Sequence, residues 1–188
     1  MLYYKGEFLM KQKCLFFISD INAGWFDVCF KVNENIINIS ASDLYGNDSP
    51  KELLIMLTEI VLLKCNKGYV LFDEEPGTYV VSLEKEILTI AYSKYDCFDY
   101  EQQEIYIDLR GNMTFDEIFN IINIDEILLQ VEIDIKIFIQ SVYKAFYKYA
   151  KSHLLYDKYE ENWGEFPKKQ WENFQRCIEQ KDWHKKEL

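Results

Sequence analysis

The segment Trp25–Val32 places Phe26, Val28, Phe30 and Val32 at every second position. A period of two puts all four on one face of a strand and leaves the other face for water or a second layer. Only two residues, Asn33-Glu34, separate it from Asn35–Ala41, where Ile37, Ile39 and Ala41 share a face. A connection that short joins antiparallel neighbours. The apolar run Cys14–Ser19 precedes them across another short connection, Ile21–Gly24. The chain is thereby committed to an antiparallel sheet whose apolar face needs a covering layer.

The covering helices are signalled further on. Ser49 reads as an N-cap, Pro50 as the first helical residue and Glu52 as the partner that completes a capping box. Leu53, Leu54, Leu57, Ile60 and Val61 follow at helical spacing, and Gly68 closes that helix or opens the next turn. Strands are expected at Tyr69–Phe72, Thr78–Leu83, Ile87–Tyr92 and Glu104–Leu109. Thr114 and Glu117 form a second capping box, after which Ile124, Ile127, Leu128, Val131, Ile135, Phe138, Ile139, Val142, Phe146 and Tyr149 recur at threes and fours to about Tyr156. Asn123 breaks that segment into a short and a long helix. The β-branched run Val131–Ile139 also fits a strand, and persistence of the spacing beyond it favours helix. A last helix starts near Pro167, with Trp171, Phe174 and Ile178 on one face. The expected fold is a single α+β domain over 1–188, a largely antiparallel sheet of about six to seven strands packed against a mid-chain helix and a long C-terminal helix.

Charge is distributed unevenly. Between Asp73 and Asp134 there are sixteen Asp and Glu against Lys85, Lys94 and Arg110, a net of -13, whereas the rest of the chain carries +2. With only two arginines, Arg110 and Arg176, there is no cluster of guanidinium forks for phosphate. A nucleic-acid surface is therefore not expected, and a basic partner is. Asp116, Glu117, Asp125 and Glu126 have an ordinary explanation at helix starts. Asp73, Glu74, Glu75, Asp96, Asp99 and Glu101 lie in connections between strands, and these six are the expected partner-binding residues, provided that the two loops meet on one side of the sheet.

Signals for chemistry are sparse. Cys14, Cys29, Cys65, Cys97 and Cys177 are widely spaced and form no CxxC pair, which fits reduced thiols of a cytoplasmic protein. The two histidines, His153 and His184, are too few for a metal site, and no phosphate loop, nucleophile elbow or calcium loop occurs. Asp43–Asp48 lacks the spacing and terminal glutamate of a calcium loop. No cofactor and no catalysis are expected. The N-terminal stretch is interrupted by Lys5, Glu7, Lys11 and Lys13, so neither a signal peptide nor a membrane span is read there.

Two segments carry a resemblance: the acidic turn Asp73-Glu74-Glu75-Pro76-Gly77-Thr78-Tyr79, and Tyr159-Glu160-Glu161-Asn162-Trp163-Gly164-Glu165-Phe166-Pro167 before the closing helix. Together they resemble small acidic bacterial immunity-type proteins encoded in polymorphic-toxin loci, and similar uncharacterised bacterial α+β proteins. The resemblance implies a cytoplasmic protein that binds and neutralises a toxin, often a nuclease, without chemistry of its own. The competing readings are a small carboxylate-based enzyme, a ligand-binding α+β protein with a pocket between sheet and helix, and an oligomeric structural subunit.

Overall fold

The computed structural model describes residues 11–43, 48–94 and 123–184. Among the described residues the fold is α+β, with seven strands divided between two antiparallel sheets rather than joined in one. The first sheet is β1 (Cys14–Asn22), β2 (Trp25–Val32) and β3 (Asn35–Ser42), in that order. Its two connections are two residues long: Asn33-Glu34 as the sequence predicts, and Ala23-Gly24, shorter than the expected Ile21–Gly24 because β1 runs on to Asn22. Ala23 and Gly24 take φ of +50° and +84°, the left-handed pair that twists with the flanking strands. Asn33, a side chain that tolerates this region, takes +54° in the second. The alternating face is the buried one: Phe26, Val28, Phe30 and Val32 are at most 1 % exposed.

Helix α1 (Ser49–Val61) follows, one residue earlier in its cap than expected. Asp48 is the N-cap, its carboxylate accepting the Lys51 backbone N–H. Ser49 is instead buried within the first turn, where its hydroxyl donates to the Leu71 carbonyl and ties the helix to the next strand. The second sheet is β4 (Lys67–Asp73), β5 (Thr78–Glu84), β6 (Ile87–Ser93) and β7 (Glu126–Glu132). Gly68 lies within β4 rather than at the helix end; a side chain there would collide with Met56 of α1, so its bareness is what lets helix and strand approach.

The strand β7 corrects the helical reading of this region. Its residues pair with β6 from Ile87↔Glu132 to Tyr92↔Glu126, and Asn123 turns the chain into it at φ +53°. The expected strand Glu104–Leu109 and the capping box Thr114/Glu117 lie outside the described residues. After β7, Asp134 caps helix α2 (Ile135–Lys151) by accepting the Ile137 N–H. Ser152 closes α2 and caps α3 (His153–Asn162), so the expected single run to Tyr156 is two helices. Helix α4 (Lys168–Gln180) follows Pro167 and buries Trp171, Phe174 and Ile178, as its spacing foretells.

The sheets are stitched by backbone. Gln12 donates to the Glu132 carbonyl and accepts from the Asp134 N–H, each at 2.9 Å, so the chain entering β1 bridges the end of β7. One continuous apolar core spans both sheets and the four described helices. In it Phe16 meets Phe30 edge-on, Phe30 stacks on Phe138 of α2, and Phe26 contacts Tyr159 and Trp163. No helix among the described residues is long and apolar enough to cross a membrane.

Candidate partner-binding site

The acidic connection between β4 and β5 is a tight turn held from several sides. Asp73 and Thr78 are the last paired residues. The Glu74 N–H donates to the Gly77 carbonyl at 2.7 Å, and the Glu75 N–H donates to the Asp73 carboxylate at 3.3 Å. Glu75 sits at φ +50° and is joined to Pro76 by a cis peptide bond. Its carboxylate accepts the Ser42 hydroxyl at the end of β3, so this turn also joins the two sheets.

The carboxylates of the turn are not equivalent. Asp73 is fully buried, although the sequence reading places it among partner-binding acids. Period two explains the correction: Asp73 shares the face of Leu71, which is also covered, so the strand carries its carboxylate inward, where it organises the turn. Glu74 is half-buried. Burial raises its pKa above the ordinary glutamate value, opposed by a hydrogen bond from the Tyr79 hydroxyl. The same pair pushes Tyr79 up to about 12, through burial first and the Glu74 charge second.

Tyr79 and Tyr92 are directly opposite in the β5–β6 register, with ring centroids 4.9 Å apart. Gly77 lies against the Tyr92 ring, and any side chain at Gly77 would displace it. Beside them Asp125 accepts the Lys94 N–H at 2.9 Å and pairs with its ammonium at 3.2 Å; these contacts hold its carboxyl below the usual range. The geometry is thus one carboxylate, Glu74, at a half-buried tyrosine pair, with Asp125 in charge range of Tyr92 and Glu75 of the same turn held at Ser42.

Asp96, Asp99 and Glu101 lie outside the described residues. The ends of their segment are placed: Ser93 pairs with Thr78, and its hydroxyl donates to the Asn123 carbonyl. The segment between Lys94 and Asn123 therefore leaves and rejoins the second sheet at the end that carries the acidic turn. Tyr79 and Tyr92 escaped sequence reading, yet the signal was present. A two-residue turn at Lys85-Glu86 fixes the register Glu84↔Ile87, and counting back along both strands brings Tyr79 opposite Tyr92.

The second resembling segment turns its aromatics inward and leaves Glu160, Glu161 and Glu165 exposed. Tyr159, Trp163 and Phe166 are buried at the corner between α3 and α4, so its aromatics serve the core. For nucleophilic chemistry three thiols are poorly placed: burial raises Cys14 to about 12 and lifts Cys29 and Cys65 above their ordinary value. Among the described residues no three His, Cys, Asp or Glu side chains gather as a metal site. Comparison of the chain with protein-family models, curated proteins and solved structures finds no match.

Proposed function

We propose that the chain is a non-enzymatic acidic protein-binding module, of the immunity type, that neutralises a basic, nuclease-type toxin in the cytoplasm. The observation that carries this reading is the conjunction of the acidic turn, through Glu74, with the Tyr79–Tyr92 pair at the sheet end from which the acidic segment departs. Tyrosines supply contact area at low entropic cost and are enriched among residues that dominate binding energy. Flanking carboxylates draw a cationic cleft in and set its orientation. Asp96, Asp99 and Glu101 extend the same charge along the chain.

The test is retention of a basic partner on the immobilised chain at increasing salt, with the wild type beside a variant carrying Glu74→Ser, Glu75→Ser, Asp99→Ser and Glu101→Ser. The wild type is expected to hold a basic protein whose affinity falls with ionic strength. The variant should lose at least about tenfold, mainly through the association rate. Undiminished affinity in the variant sinks the reading. A second reading, a ligand-binding α+β protein, is favoured by a groove elsewhere on the molecule.

A further inference from the structure

Among the described residues β1 is the outer strand of its sheet, and α2 runs beside it. Between them lies an open groove of about 330 Å³, which shares no residue with the acidic turn. Its helical wall is mixed, Ile137 and Ala145 among Gln140, Ser141, Lys144 and Lys148, at threes and fours over about 16 Å of the helix axis. The strand contributes apolar side chains from Leu15 to Ile18, and the Phe17 ring is 42 % exposed at the rim. That volume is at the lower end of small-molecule sites.

Two observations select the occupant. The first is charge. Helix α2 carries Lys136, Lys144, Lys148 and Lys151 and no acidic residue, in a chain of net charge -11. Lys144 and Lys148, one turn apart, both line the groove. The second is hydrogen bonding. An outer strand ordinarily invites an added strand. Here the Phe16 N–H, in the middle of the groove, already donates to the Ser141 hydroxyl at 2.8 Å, and Ser141 donates onward to the Phe138 carbonyl. A peptide strand would have to displace this bond, whereas an aliphatic tail lying on the side chains of β1 leaves it in place. Charge asks for an anion, and the apolar side chains from Leu15 to Ile18 ask for an aliphatic body.

We propose that this groove binds a free long-chain aliphatic carboxylate, its tail along the apolar side chains of β1 with Ile137 and Ala145 of α2, and its head group on Lys144 and Lys148. The probe is monomeric dodecanoate, titrated into the full chain by calorimetry, with dodecanol as the head-group control. Saturable 1:1 binding is expected. The double variant Lys144→Gln/Lys148→Gln should weaken dodecanoate about tenfold and leave dodecanol within about twofold of wild type. Ala145→Phe, with its circular dichroism matched to wild type, should abolish both. Phe17→Asp, at an exposed position that does not threaten folding, should repel the carboxylate more than the alcohol. The proposal is overturned if dodecanoate does not saturate. It is equally overturned if the lysine and Phe17 variants bind like wild type, or if the chain adheres to phosphatidylglycerol vesicles without taking up monomeric dodecanoate.

Discussion

Asp48 shows what a single residue costs when two neighbours need it. It caps α1 through the Lys51 N–H and also accepts the indole N–H of Trp163, and burial raises its pKa above the ordinary aspartate value. A raised folded-state pKa means that the native protein binds this proton more tightly than the unfolded chain does. The group's contribution to stability is then full below its unfolded pKa and is lost as pH rises through the folded one. Asp48→Asn keeps a good cap while removing the charge. The variant should match wild type in acid and become the more stable of the two as pH rises to 7, by urea midpoints taken across that range. A wild type that gains on the variant toward neutral pH would refute the assignment. Residue by residue, the sequence revealed the chemistry of the caps but not their owners: Ser49 and Asp48 are both competent N-caps, and only the Leu71 carbonyl waiting beside Ser49 decides between them. Asp73 is a similar case, since nothing local shows that the far face of β4 is covered.

Elements are legible where one period dominates and ambiguous where two overlap. The strands β2 and β3 and the helix α4 could be read directly, because each has a clean stripe. Between Glu126 and Ile139 the β-branched residues satisfy both periods, and the helical pattern of α2 extends backward into β7 by coincidence of spacing. What separates them physically is Asp134, which caps α2, and the Glu86 carbonyl and Gln12, which take the backbone groups at the strand end. The hold of α2 on β1 includes a buried polar contact within an apolar interface, the Phe16 N–H on Ser141. Ser141→Ala removes the acceptor and leaves that buried N–H unpaired, at a cost of about 1–3 kcal/mol. Ser141→Thr, which restores a hydroxyl, should recover part of the loss. Urea denaturation of the two variants measures it; an alanine variant as stable as wild type would mean that the strand edge is open and that a peptide could pair there.

At the scale of the molecule the question is whether two sheets behave as two units. Chains longer than about 150 residues often populate intermediates, and this one has 188. Against that stands the continuity of the core: Phe16 and Phe30 of the first sheet, Val81 and Ile90 of the second, Leu57 of α1, Phe146 of α2 and Phe174 of α4 belong to one buried cluster. Parting the sheets exposes several of these at once. At roughly 1.5–3 kcal/mol each, six such side chains cost about 10 kcal/mol or more, as much as a typical domain's entire stability. Backbone bonds from Gln12 and the Ser42–Glu75 contact cross the same divide. A half-unfolded state with one sheet intact should therefore not accumulate. In a Trp25→Phe background, Trp163, Trp171 and Trp183 report on the helical side by fluorescence, while far-ultraviolet circular dichroism follows all helices and strands together. The two urea transitions are expected to coincide, and Ser141→Ala should shift both midpoints equally although its contact lies in the first sheet. Separate midpoints, or a shift seen by one probe alone, would divide the chain into two folding units and restrict any effect of the groove on the acidic turn to charge acting through space.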